Sequence, residues 1–91
     1  MAICRMIETG VTPEQYDQIR AKLGVGDTPP PGSSLHIAAR GEDGKIRIVE
    51  VWESREKADE FGEKVRAARD EEGIEGDPPH VHYLEVHKIT R

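Results

Sequence analysis

His36 and Glu50 stand on either side of a short segment, Gly41-Glu42-Asp43-Gly44-Lys45, that reads as the turn of a hairpin. An imidazole held beside a carboxylate is fixed in one tautomer, an arrangement that suits proton abstraction from a phenol or a comparable acid. The structural alternative is a polar pair that satisfies only itself. Trp52 lies two residues beyond Glu50 and so on the same side of an extended strand. There it serves either as core packing or as an aromatic wall for a flat ligand. His36 and Glu50 are therefore the candidate catalytic residues, with Trp52 the first candidate for substrate binding.

Further candidates lie near the two ends. If Leu84 and Val86 face the helices, then Tyr83, Glu85 and His87 share the side of Glu50, and Arg5 on the first strand joins them. Burying Glu50, Glu85 and Arg5 without mutual pairing would cost several kcal/mol each. An ion-pair or hydrogen-bond cluster between Arg5 and at least one of these glutamates is expected, and Tyr83, His87 and Arg5 complete the expected binding set. His80 and His82 put two imidazoles on one side of a strand, with His36 or Cys4 as conceivable third ligands. So common a pair is a weak signature, and neither a metal nor a cofactor is expected.

These side chains need elements to hold them. Residues 2–9 read as a strand. Thr12-Pro13-Glu14-Gln15 then combines an N-cap, a proline in the first turn and a capping box, with Val11 and Tyr16 at the staple positions. Tyr16, Ile19 and Leu23 form a helical stripe that ends at Gly24. The proline-rich segment 24–34 is a stiff loop. Residues 35–40 and 46–53 read as strands. A three-residue loop at 42–44 puts Gly44 at the left-handed position and pairs His36 with Glu50, Ile37 with Val49 and Ala38 with Ile48. A two-residue loop would instead oppose Arg40 and Arg47, which is unfavourable. Ser54 caps a second helix with an Ala58, Phe61, Val65, Ala68 stripe that ends at Gly73. After a turn at 77–79, residues 80–90 make the last strand.

The order β-α-β-β-α-β is the ferredoxin-like arrangement: an α+β fold with two helices on one face of a four-stranded antiparallel sheet, in spatial order 4-1-3-2, as one domain over 1–91. The hairpin divides its residues between two faces. Leu35, Ile37, Ala39, Val49 and Val51 make the more apolar one, which is expected beneath the helices. His36, Ala38, Arg40, Ile46, Ile48, Glu50 and Trp52 make the other, expected to be open.

Bulk composition narrows the functions. The chain has 91 residues, is 35% apolar and carries a net charge of −5. A chain this short buries only about 60–65% of its unfolded surface, so a homodimer through the open sheet face is expected to complete the core. No basic stripe exists to neutralise phosphates, which argues against nucleic acid. Five acids in residues 70–77 read as a solvated loop. No apolar run approaches the roughly 18 residues of a membrane span. The first residues lack the basic lead and long apolar core of a signal peptide, and the lone Cys4 forms no internal disulfide, so a cytoplasmic location is expected.

The stretch Ile48-Val49-Glu50-Val51-Trp52-Glu53-Ser54-Arg55-Glu56-Lys57-Ala58-Asp59-Glu60-Phe61 resembles the V-x-V-W-E-S-x-E-x-A-x-x-F stretch of small dimeric α+β-barrel proteins related to the antibiotic biosynthesis monooxygenase domain. Tyr83-Leu84-Glu85-Val86-His87-Lys88-Ile89 resembles their closing strand. The resemblance implies two ferredoxin-like sheets forming a barrel, with a cleft in each subunit. It further implies cofactor-free oxygenation of an aromatic or quinol-like substrate, or haem degradation. The haem-degrading branch carries a histidine on the second helix, and residues 54–72 contain none. The alternative is a non-catalytic dimeric module that binds a ligand or is purely structural.

Overall fold

The computed structural model describes residues 2–76 and 78–90. The expected element order is present: β1 (Ile3–Glu8), α1 (Pro13–Leu23), β2 (Ser33–Arg40), β3 (Ile46–Trp52), α2 (Arg55–Glu71) and β4 (His80–Glu85). The strands form one antiparallel sheet in the order β2-β3-β1-β4. This is the ferredoxin-like α+β fold.

Local sequence fixes where each element begins. Thr12 Oγ1 accepts from Gln15 N at 3.2 Å while Gln15 Oε1 accepts from Thr12 N at 3.0 Å, the reciprocal box that satisfies two free helix amides. Val11 and Tyr16 both pack into the core around Ile19, so the staple fixes the angle at which the chain enters α1. Ser54 caps α2 through Lys57 N. In the hairpin Gly44 adopts φ 80°, and Gly41 N donates to Lys45 O at 2.8 Å. That closes the three-residue loop and sets His36 opposite Glu50 and Ile37 opposite Val49.

Three expectations need correction. The partition of hairpin residues between faces is as expected, but the helices cover the opposite one. Ile46, Ile48 and Trp52 pack with residues of α1 and α2, whereas Ile37 is 48% exposed. The face bearing His36 and Glu50 holds the bulkiest apolar side chains of β3, and its polar groups satisfy one another, so it can be buried. The second correction concerns β2, which starts at Ser33 with a bulge between Ser33 and Leu35. The third is β4, which ends at Glu85, so His87 lies beyond the strand; pairing there closes with Val86 N donating to Ala2 O. Of the turn expected at 77–79, Asp77 lies outside the described residues.

The core is small and has two parts. Val11, Ile19, Ile46, Ala68 and Ile74 form one cluster, and Trp52, Ala58 and Phe61 the other; Leu23 and Val65 touch both. The opposite face of the sheet presents Met6, Ile37 and Leu84, exposed by 43%, 48% and 49%, beside half-buried Cys4, Leu35 and Val49.

Because α1 is short and is anchored at its start by the Thr12 box, Thr12→Ala is expected to cost about 1 kcal/mol. This would lower the thermal midpoint by roughly 4–8 °C. Thermal and urea melts of the variant check it.

Candidate functional site

At the centre of the helix-covered face Glu50 is 2% exposed. Isolated there, a carboxylate would be strongly disfavoured. Its neighbours are donors from three strands. Arg5 Nε and Nη2, from β1, reach Oε1 at 2.9 and 2.8 Å. Trp52 Nε1, two residues along β3, donates to the same oxygen at 3.2 Å. His36 Nδ1, from β2, lies 3.0 Å from Oε2. Burial pushes the Glu50 carboxyl up, but the His36 bond, the Arg5 charge and the Trp52 and Arg5 bonds outweigh it, so Glu50 is held below the usual carboxylate range. The expected Arg5–glutamate cluster is therefore present, formed with Glu50. Arg5 is anchored in turn: Nη1 donates to Ala58 O of α2 at 3.0 Å. A Cβ at Gly62 would lie 3.2 Å from that nitrogen, so the glycine in mid-helix is what admits the guanidinium.

The network assigns protons. An ionised carboxylate only accepts, so His36 carries a hydrogen on Nδ1, and in its neutral form the ring presents a lone pair on Nε2. That lone pair meets the Tyr16 hydroxyl at 2.6 Å. The two rings stack with centroids 6.1 Å apart and planes 21° from parallel. Burial raises the Tyr16 pKa; Arg20 pulls it down, while Glu50 and Asp17 add to the rise. The phenol is accordingly a donor that keeps its proton at neutral pH. The result is a single line of groups, Arg5–Glu50–His36–Tyr16, running from the core outward.

The line ends at a cleft of about 680 Å³ between α1, the 24–34 loop and β2, with Tyr16, Arg20, Gly26, Pro29, His36 and Ala38 among its walls. Its volume lies within the range of small-molecule sites. The chemistry available is proton transfer at His36 Nε2, with Tyr16 able to yield its place to an incoming acid or to pass on a proton.

The expected site residues divide into two groups. His36, Glu50, Arg5 and Trp52 come together, and Tyr83 and His87 stand apart from them. Trp52, expected on the cleft wall, is 1% exposed; it packs against Phe61 with centroids 5.4 Å apart and supports Arg5 from 5.9 Å. It also borders a smaller recess of about 320 Å³ near Gly32 and Ser33. Tyr83 donates to Asp59 Oδ1 at 2.7 Å and lies under Arg55, 4.0 Å from its ring centroid, against α2. His87 is exposed beyond β4, and Glu85, His80 and His82 are exposed on it. Among the described residues no three of His, Cys, Asp and Glu are grouped as metal ligands would be. The residue that sequence reasoning misses is Tyr16, which the spacing puts on the helical stripe but not beside His36. The signal was available: the stripe had to face whichever side of the sheet the helices cover.

No family profile matches the chain, and no curated protein does. Solved structures do match, over nearly the whole length. A candidate antibiotic biosynthesis monooxygenase from Caulobacter crescentus CB15 aligns with a TM-score of 0.67 at 17% identity, covering 96% of this chain and 91% of that one. Its counterpart from Chloroflexus aurantiacus J-10-fl gives 0.58 at 23%, covering 99% and 100%. A monooxygenase from the gene ActVA-Orf6 of Streptomyces coelicolor, in complex with nanaomycin D, gives 0.55 at 18%, covering 99% and 90%. The chain shares their fold. The ferredoxin-like βαββαβ subunit implied by the sequence resemblance is thus the one observed. No helix among the described residues is long and apolar enough to cross a membrane.

Removing one partner of a buried pair leaves the other uncompensated, so Arg5→Leu is expected to destabilise the protein by about 3–5 kcal/mol at pH 7. A carboxyl whose native pKa is depressed contributes stability above its unfolded value and loses it as pH falls through the native value. The stability advantage of wild type over Glu50→Gln should therefore narrow as pH falls below the usual carboxylate value of 4.5. Urea melts of both proteins between pH 7 and pH 3 measure it; a constant difference would show that the native state does not hold the Glu50 carboxyl below its unfolded value.

Proposed function

We propose that the chain binds a small aromatic or quinol-like molecule in the Tyr16–His36 cleft and oxygenates it without a bound cofactor. One observation carries this reading: His36, fixed through Nδ1 by a buried carboxylate, meets Tyr16 at the wall of a cleft large enough for such a molecule. The substrate displaces the Tyr16 hydroxyl, and His36 Nε2 takes its acidic proton. The resulting electron-rich carbanion gives an electron to dioxygen, and the radical pair joins to form a C–O bond as a peroxide. The imidazolium, directly or through Tyr16, protonates that peroxide. Loss of the second C–H proton and cleavage of the O–O bond then release water and leave a ketone. One dioxygen converts one CH₂ to C=O and one water, so atoms and electrons balance. That a protein of the same fold is held in complex with nanaomycin D supports a small organic ligand.

The homodimer belongs to the same proposal. The helix-free face exposes Met6, Ile37 and Leu84 together, and a contiguous apolar patch on a small protein marks an interaction surface. Two copies meeting there enclose both sheets and leave both clefts, on the helix side, accessible.

Dithranol is a suitable probe, since it offers an acidic CH₂ between two phenol rings, across the central ring from its ketone. Wild type is expected to consume one dioxygen per ketone formed. His36→Ala should lose roughly 10²–10⁴-fold in rate, the usual contribution of a positioned base. Equal rates in the two proteins would remove His36 from the reaction, whereas tight binding without turnover would favour the ligand-binding alternative. For the interface, light scattering should give twice the chain mass for wild type and the monomer mass for Ile37→Lys.

A further inference from the structure

The cleft contains one group that the proposed reaction leaves unused. Arg20, in the last turn of α1, is a permanently charged fork with five N–H donors. Its Nη2 donates to Gly26 O at 2.8 Å, tying the helix to the loop across from it, and its guanidinium carbon lies 6.0 Å from the Tyr16 ring centroid. Nη1 is buried and has no hydrogen-bond partner, the only such side-chain atom identified among the described residues. Native proteins rarely leave a charged donor in that condition, because its desolvation is uncompensated.

We infer that Arg20 selects the ligand's anionic end: the molecule that fills this cleft carries a carboxylate on its aromatic ring system. The inference rests on the reading of the cleft as a ligand site and adds a substrate class to it. The buried Nη1 comes within reach when the guanidinium swings off the Gly26 carbonyl. That motion exchanges one neutral acceptor for two charged ones in the parallel geometry that a fork and a carboxylate share. The remainder of the molecule then lies along Tyr16 and Pro29 toward His36. Asp17 and Asp27 line the same cleft but are exposed, so water screens them and they weaken the attraction without reversing it.

Anthraquinone-2-carboxylate and anthraquinone-2-carboxamide test the inference, because they differ in charge but hardly in shape and are already oxidised. Calorimetric titration of wild type should show the carboxylate binding roughly 10- to 100-fold tighter, the range expected of charge-assisted bonds. Arg20→Met should bind both alike, and Arg20→Lys, which keeps the charge without the fork, should retain part of the preference. Circular dichroism confirms that each variant is folded. A preference that persists in Arg20→Met, equal binding in wild type, or no binding of either compound overturns the inference. The dithranol assay reads the reaction separately. Loss of preference in Arg20→Met without dithranol turnover would leave Arg20 standing and the oxygenase reading fallen; turnover without a carboxylate preference would do the reverse.

Discussion

Burying the Glu50 carboxylate is the constraint from which the rest of this molecule follows. A 91-residue chain has little apolar surface to spare, yet it places an anion at the centre of its covered face. The charge is tolerable only with a full set of donors, and no single element can provide them. Arg5 comes from β1, His36 from β2 and Trp52 from β3 itself, so the three strands must be in register before the carboxylate is satisfied. Arg5 also bonds the carbonyl of Ala58, which draws α2 onto the sheet. Register, helix docking and site geometry are therefore set by one charge and its partners. A one-residue slip of β2 would turn His36 to the other face and leave Oε2 unpartnered.

The same charge explains which parts of the structure could be read in the sequence. The hairpin register followed from the left-handed requirement at Gly44 and the repulsion between Arg40 and Arg47, both local effects. The start of α1 followed from Thr12, Pro13 and Gln15, and the Arg5–glutamate contact from the cost of leaving either group alone. The covered face was not legible in this way. By apolar content Leu35, Ile37, Ala39, Val49 and Val51 look more like a core than a face holding His36, Arg40 and Glu50. Hydrophobicity ranks the two faces correctly, but it does not distinguish a surface buried under helices from one left for a partner. Nor does it register that a network of matched polar groups can be buried. Tyr16 was hidden by the same inversion, since its partner was assigned to the other side of the sheet.

Correcting the faces separates two properties that the sequence placed on one surface. The cleft lies on the helix side, between α1, the 24–34 loop and edge strand β2, while the apolar patch around Met6, Ile37 and Leu84 lies on the far side. The thickness of the sheet stands between them. Two of the cleft's walls are held loosely by the core: β2 is an edge strand, and the loop is held by short contacts such as Arg20 to Gly26. Glu50, behind them, is rigidly held. Adaptable walls in front of a fixed charge suit a site that must fit a ligand and still orient a proton acceptor.

The 2.6 Å contact between Tyr16 and His36 has a consequence for selectivity. In the resting molecule the lone pair of the base is already occupied by a phenol, and a raised pKa keeps that phenol protonated. Any proton donor that is to reach Nε2 must compete there against an internal rival that costs no association entropy. Water and alcohols, weaker donors than a phenol, are at a disadvantage in that contest. Only a stronger acid of matching shape wins it. The tyrosine thus sets an acidity threshold for contact with the base, so His36 discriminates among bound molecules by proton-donor strength.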